Sequence, residues 1–245
     1  MIEQHNFKIS VITAVYNAES CISNLIESLR QQQDQDFEWV VVDGVSTDKT
    51  LEILKDVKDL NIKIISESDF GIYDALNKGI KACSGEYYLV AGADDIFFKN
   101  AIGDYKKEIS MDVKLIGAKV IVGGEAIGAH GKSWQYGQRA YISNHSVGIL
   151  IHKSLHNKYG WYSKKYPIAA DQYFIQICAL NNERIIAIDS VVGEFSLCGI
   201  SSYDHLGAVT ELFRIQVSLG YNKWLQFFIF ILRVIRQLKS LRYPR

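Results

Sequence analysis

No two of the four cysteines form a C-x-x-C pair. Cys21, Cys83, Cys178 and Cys198 are scattered over 245 residues, so neither a zinc site nor a disulfide framework is indicated, and a reducing cytoplasm suits the chain. The amino terminus, Met1 to Lys8, lacks the basic region and long apolar core of a signal peptide, and export is not expected. Glycine is missing from Ala14-Val-Tyr-Asn-Ala-Glu-Ser20, the first strand-to-helix turn. That excludes a Rossmann dinucleotide fingerprint, whose glycines admit the pyrophosphate. No P-loop sequence, internal repeat or low-complexity segment is present. The apolar run inside Trp224 to Leu232 is far shorter than the roughly 20 residues that cross a bilayer. Net charge is zero, with 27 basic and 27 acidic residues, and nucleic acid is not an expected partner.

What is present describes one ordinary globular domain with an appendage: 48% hydrophobic and 22% charged residues. Apolar, β-branched runs alternate with segments of helical period, the signature of a parallel α/β sheet. Strands are predicted over Lys8 to Thr13, Trp39 to Asp43, Ile62 to Ser66 and Tyr87 to Ala91. Helices are predicted over Ser20 to Gln33, Thr47 to Val57 and Ile72 to Cys83, with Asp48 or Ser46 capping the second. The charge is uneven. Residues 221 to 245 hold six basic side chains and no acidic one, which leaves six net negative charges on the remainder. Aromatic and aliphatic bulk followed by arginines suits either an anionic membrane surface or packing against protein.

The run Tyr88-Leu-Val-Ala-Gly-Ala-Asp-Asp-Ile-Phe97 ends a buried strand on two carboxylates, Asp94 and Asp95. Open parallel sheets bind ligands at the carboxyl ends of their strands, and magnesium or manganese prefers carboxylate oxygens together with substrate phosphates. Either aspartate is equally an N-cap for a following helix. Tyr16 and Asn17 follow the first strand and Asp43 to Asp48 the second. The three strand ends together outline one nucleotide-sized pocket.

In this order and spacing, Ile9-Ser-Val-Ile-Thr-Ala-Val-Tyr-Asn-Ala18, Trp39-Val-Val-Val-Asp-Gly-Val-Ser-Thr-Asp-Lys-Thr50, Ser68-Asp-Phe-Gly-Ile-Tyr-Asp-Ala-Leu-Asn-Lys-Gly-Ile80 and Gly85-Glu-Tyr-Tyr-Leu-Val-Ala-Gly-Ala-Asp-Asp95 resemble family 2 of the inverting glycosyltransferases. The resemblance covers about Lys8 to Ser202. It implies the GT-A fold, a Rossmann-like, mostly parallel sheet flanked by helices, here over 1 to 204 with helices from 205 to 245. It also implies a nucleotide-sugar donor and Mn2+ or Mg2+. Tyr16 and Asp43 would border the nucleobase, Asp94 the ribose and Asp95 the metal. Asp69, Asp74, Asn77 and Lys78 would line the donor pocket, although Asp74 or Lys78 also reads as a solvated helix residue. Asp171, at the start of a segment ending near Leu180, would be the catalytic base, with a carboxyl near its reference pKa of about 4.

Asn144 and His145, before a strand over Val147 to Ile151, would flank the acceptor. Glu194 and the loop Cys198 to Ser202 resemble a closing loop. Many family members carry two aspartates where this chain has Asp43-Gly44, and the second often meets uracil, so UDP is the leading donor nucleotide rather than a settled one. A Gln-x-x-Arg-Trp motif and channel segments are absent, which implies transfer of one sugar per encounter. A glycan or polyprenyl-diphosphate-linked acceptor at the inner face of the bacterial cytoplasmic membrane follows. The alternatives are a non-catalytic scaffold on the same fold and a sugar nucleotidyltransferase. The latter lacks its glycine-rich loop here.

Overall fold

Strands covered on both faces must be apolar almost throughout, and β1 (Ile9–Val15) and β2 (Phe37–Asp43) are of this kind. They pair in parallel from Ile9 opposite Phe37 to Val15 opposite Asp43. The computed structural model describes residues 7–143, 146–195 and 204–242. The other strands are β3 (Ile62–Ser66), β4 (Tyr87–Val90), β5 (Ile96–Phe97), β6 (Leu115–Val122), β7 (Glu125–Ile127), β8 (Ile149–His152) and β9 (Ile185–Glu194). They make a mixed sheet in the order β3-β2-β1-β4-β8-β6-β9-β5, with β7 paired to β6. The first four strands in that order are parallel, and β8 enters antiparallel to β4.

Side chains alternate across the sheet into two cores. Ile9, Val11, Trp39, Val41, Tyr87 and Leu89 face one, and Ile12, Val40 and Tyr88 face the other. Over the first core lies α1 (Ile22–Arg30), which buries Ile22, Leu25, Ile26 and Leu29 at helical spacing. Over the second lies α3 (Ile72–Ala82), and here a glycine is needed: a Cβ on Gly79 would stand 2.5 Å from the Ile12 side chain and 3.2 Å from that of Val42. The remaining helices are α2 (Thr50–Lys55), α4 (Ala101–Glu108), α5 (Ser133–Tyr136), α6 (Leu155–Tyr159), α7 (Ala170–Leu180), α8 (His205–Ser218) and α9 (Lys223–Arg242). A 3-10 turn over Gly137–Ala140 follows α5 directly.

Three local expectations change. The helix expected over Thr47 to Val57 is confined to α2, because Asp48 Oδ1 accepts the Thr50 N–H at 2.9 Å and starts it late, while Ser46 Oγ is taken by the Asn17 N–H. Val147 lies in a 3-10 turn rather than a strand. Neither Asp94 nor Asp95 caps a helix, since the chain passes through a turn into β5. Ile215 of α8 belongs to the second core. No described helix is long and apolar enough to cross a membrane.

Candidate active site

The carboxyl ends of β2, β1 and β4 are neighbours because the strands are consecutive in the sheet. After β1, Asn17 takes a left-handed backbone, φ 51°, which asparagine tolerates. Its side-chain oxygen accepts the Thr47 N–H at 2.8 Å. Ala18 N–H donates to Thr50 Oγ1 at 2.7 Å and Glu19 N–H to Asp48 Oδ2 at 3.0 Å, so the two loops are tied together. Their polar groups are largely spent on each other, and Tyr16, 64% exposed, is the side chain this edge offers to a ligand.

Asp43 is wholly buried at the end of β2. Its carboxylate accepts the N–H groups of Val45 at 3.1 Å and Ser46 at 3.2 Å, and the Ser66 hydroxyl at 2.7 Å. These bonds hold Val45 at φ 64°, a strained conformation for a β-branched residue. They also set Gly44 against Asp69: a Cβ on residue 44 would lie 2.7 Å from Asp69 Oδ2 and 3.6 Å from the Tyr16 ring. Tyr16, Gly44 and Asp69 therefore form a shallow shelf beside Asp43. Asp74, Asn77 and Lys78 belong to α3, which follows Asp69 in the chain. Lys78 pairs with Glu67 at 3.0 Å and Asp74 at 3.6 Å, and donates to the Ser68 carbonyl at 2.6 Å. Asn77 bonds both the carbonyl and the N–H of Tyr162, at 2.9 and 3.0 Å. None of the three lines the cavity described next.

That cavity, about 210 Å³, opens between the end of β4 and the start of α7. Asp94 and Asp95 line it together with Tyr73, Gln138, Tyr162 and Asp171. Asp95 is buried and its Oδ2 accepts the Gly92 N–H at 2.7 Å. Gly92 has no room for a side chain, because a Cβ there would lie 2.9 Å from Asp94 Oδ1 and 3.1 Å from Asp95 Oδ2. Two hard carboxylates thus converge on one cavity wall, a donor set that fits a magnesium or manganese ion. No group of three or more His, Cys, Asp or Glu among the described residues could hold a metal. Such an ion would need oxygens from a bound substrate to complete its shell.

Asp171 sits in the first turn of α7. Tyr73, from the first turn of α3, donates its hydroxyl to Asp171 Oδ1 at 2.5 Å and lies 3.0 Å from the Ile168 carbonyl. Burial pushes the Asp171 carboxyl above its ordinary range, opposed by hydrogen bonds from Tyr73, the Gln172 backbone and Gln138. This corrects the expectation of a pKa near the reference value. Burial, with the adjacent Asp171 charge, also keeps the Tyr73 phenol protonated. From α8, buried Glu211 accepts the N–H groups of Ile168 at 3.0 Å and Ala169 at 2.9 Å, pinning the start of α7. Burial raises the Glu211 carboxyl too.

Tyr73, Gln138 and Glu211 are absent from the sequence-derived set. Tyr73 reads as a core aromatic on an amphipathic helix. Glu211 carries a usable signal, because it falls four residues before buried Ile215 on the inward face of its helix. Asn144, His145 and Cys198 to Ser202 lie outside the described residues. Glu194 ends β9 opposite Ile96, the neighbour of Asp95.

The sequence of the chain is 36% identical over 93 residues to a PGL/p-HBAD biosynthesis glycosyltransferase of Mycobacterium tuberculosis, covering 37% of this chain and 36% of that one. It is also 36% identical over 124 residues to the poly(ribitol-phosphate) beta-N-acetylglucosaminyltransferase TarS of Staphylococcus aureus, covering 47% and 22%. The chain thus spans little more than a third of the first relative's length and about a fifth of the second's. Among solved structures, TarS 1-349 in complex with UDP-GlcNAc superposes with a TM-score of 0.68 at 22% identity, over 95% of this chain and 73% of that one. The mannosyltransferase PcManGT of Pyrobaculum calidifontis, in complex with GDP-Man and Mn2+, gives 0.70 at 15%, over 97% and 76%. Both share the fold, the GT-A arrangement of a mostly parallel sheet between helices. The model of glycosyl transferase family 2 matches residues 10–168, a span that runs from β1 through the shelf and both strand-end aspartates to the threshold of α7. The chain belongs to glycosyl transferase family 2.

Proposed function

We propose that the protein is an inverting, non-processive glycosyltransferase. It moves one sugar from a nucleotide-diphosphate donor, a UDP-sugar, to a glycan or polyprenyl-diphosphate-linked acceptor in cell-surface polysaccharide synthesis such as O-antigen or capsule. The acceptor is met at the inner face of the cytoplasmic membrane, where the protein is peripheral. The observation that carries the reading is the placement of Asp95 and Asp171 on one cavity, a metal-type carboxylate and a base-type carboxylate lining the same space. The relatives' names support a sugar transferred from a nucleotide, since TarS is seen with UDP-GlcNAc and PcManGT with GDP-Man and Mn2+.

A cavity of about 210 Å³ suits a single hexose and falls below the roughly 300 Å³ at which drug-sized ligands are usually enclosed. The sugar enters it, and the nucleoside stays on the shelf, where Tyr16 stacks on the base. The Asp69 carboxylate accepts a base N–H beside Asp43, and Asp94 takes the ribose. Asp74, Asn77 and Lys78 brace this pocket from α3. Asp95 would hold a divalent ion, Mn2+ or Mg2+, which would offset the charge that builds on the leaving diphosphate.

The acceptor hydroxyl attacks the anomeric carbon from the face opposite the nucleotide, and Asp171 takes its proton, a single displacement needing one base. Tyr73 holds Oδ1 and keeps its own proton, so Oδ2 receives the new one. Burial raises the Asp171 carboxyl, which makes it a better proton acceptor. His145 belongs beside the acceptor in this reading. Release of UDP from a panel of UDP-sugars tests the assignment. Asp171→Asn should keep nucleotide affinity and lose turnover by a factor of about 10² or more, whereas Asp95→Ala should lose both. A scaffold would turn over none of the donors.

A further inference from the structure

Helix α9 has two unlike faces. Its inner face is fastened: Gln226 donates to the Trp134 carbonyl at 2.7 Å, Arg233 donates to the Gln135 carbonyl, and Gln237 donates to the His205 carbonyl at 3.2 Å. Phe230 packs on Phe213 of α8 with ring centroids 5.2 Å apart. Its outer face is apolar and open. Trp224 is 73% exposed, Phe228 61%, Ile231 38%, Leu232 51%, Ile235 45% and Leu238 56%. Steps of three, four and seven residues put all six on one stripe. A run of this kind exceeds the scattered apolar exposure of an ordinary surface.

Charge selects what covers the stripe. Lys223 and Arg236, both exposed, flank it, and residues 221 to 245 contain no acidic side chain. A second copy would bring the same cationic helix against this one. An anionic bilayer supplies both an apolar layer for the stripe and negative headgroups for its flanks.

The inner face leads to the cavity. Trp134 and Gln135 belong to α5, and the turn that follows carries Gln138, which lines the cavity and hydrogen-bonds Asp171. Four side-chain oxygens among the described residues are buried without a hydrogen-bond partner, and all are glutamine Oε1 atoms: Gln138, Gln176, Gln216 and Gln226. All four gather at α5 and its turn: Gln138 lies in the turn, Gln226 donates to the Trp134 carbonyl, a Cβ on Gly137 would be 3.3 Å from Gln176 Nε2 and 3.4 Å from Gln216 Nε2, and Gln216 also donates to the Ser133 carbonyl at 2.9 Å. Through Gln226 on the Trp134 carbonyl and Gln216 on the Ser133 carbonyl, this seam joins α9 and α8 to α5 and the turn that carries Gln138.

We propose that α9 docks flat on an anionic bilayer through the Trp224 to Leu238 stripe, and that docking resets the glutamine seam and with it the setting of Gln138 at Asp171. The inference deepens the glycosyl-transfer reading by naming the lipid surface as a partner that acts on the base. Docking itself rests on the helix alone. Hydrogen exchange of the full chain tests both, with vesicles of phosphatidylglycerol and phosphatidylcholine compared with phosphatidylcholine alone. Anionic vesicles should slow exchange over residues 224 to 238 by roughly tenfold or more and change it over 133 to 140. Phosphatidylcholine alone should do neither. The exposed double variant Phe228→Glu, Leu232→Glu should lose both responses and melt as the parent does, while Asp171→Asn should keep them. Unchanged exchange over 224 to 238 overturns the docking. Slowing there without change over 133 to 140 overturns the coupling. Protection that grows with protein concentration and needs no vesicles assigns the stripe to a second copy instead.

Discussion

The Tyr73 hydroxyl and the Asp171 carboxylate make a pair whose pH behaviour follows from its parts. In the proposed reaction ionised Asp171 is the working form; burial raises its pKa while the Tyr73 hydrogen bond lowers it. Tyr73→Phe removes the lowering contribution, so the acidic limb of the turnover profile should move to higher pH, with nucleotide affinity unchanged. A limb that stays in place would separate Tyr73 from the base. The same burial costs stability. A carboxyl whose folded pKa is raised contributes fully below its unfolded value and loses that contribution as pH rises through the folded one. Asp171→Asn should accordingly melt at or above the parent temperature at neutral pH while being inactive. Across the cavity, Gly92→Ala would force a methyl group against Asp94 Oδ1 and Asp95 Oδ2. Metal-dependent nucleotide affinity should drop by about tenfold or more, the effect of a shift worth roughly 1.4 kcal/mol, as titration calorimetry would read.

At the scale of elements, α7 is held at its start from two sides. Glu211 of α8 accepts the N–H groups of Ile168 and Ala169, the two residues before α7, and Tyr73 of α3 approaches the Ile168 carbonyl. Glu211→Ala would leave the buried Ala169 donor and the part-buried Ile168 donor unpaired, at about 1–3 kcal/mol for the buried one. It should lower both the melting temperature and turnover while leaving nucleotide binding on the far side of the cavity intact. Deeper in the same core, His156 lies between Trp161 and Phe174, stacked at 5.0 and 4.3 Å, with Tyr88 at 2.6 Å from Nε2. Burial pushes its pKa down to about 4. The neutral ring is favoured on folding, so its contribution is complete above the unfolded value of about 6.5 and fades as pH falls toward 4, by about 3 kcal/mol in all. Thermal melts over that window should show a steep loss that His156→Gln flattens.

The first three βα units were written locally, and their sequence reads through to the structure: β-branched runs become parallel strands, and Ile22, Leu25, Ile26 and Leu29 declare the inward face of α1. The second half is less legible, because β8, β6, β9 and β5 owe their order to pairings between distant segments that no period encodes. Within the site, carboxylates at strand and helix ends are visible as departures from apolar runs. Tyr73 is not, since it looks like core, and Glu211 shows only as a charge on the inward face of a tail helix, with no partner indicated. Their roles appear only when α3, α7 and α8 meet. The molecule as a whole thus joins a strand-end shelf to a cavity of about 210 Å³ lined by Asp94, Asp95 and Asp171, with the approach to the Asp171 helix held by a late helix.

Calorimetric titration of UDP with and without Mn2+, in the parent, Asp95→Ala and Asp171→Asn, tests the centre of this account. The parent should bind UDP tightly only with the metal, Asp95→Ala should lose that metal dependence, and Asp171→Asn should bind as the parent does. Binding that ignores the metal, or that Asp95→Ala leaves unchanged, would contradict the assignment of Asp95 and with it the donor site.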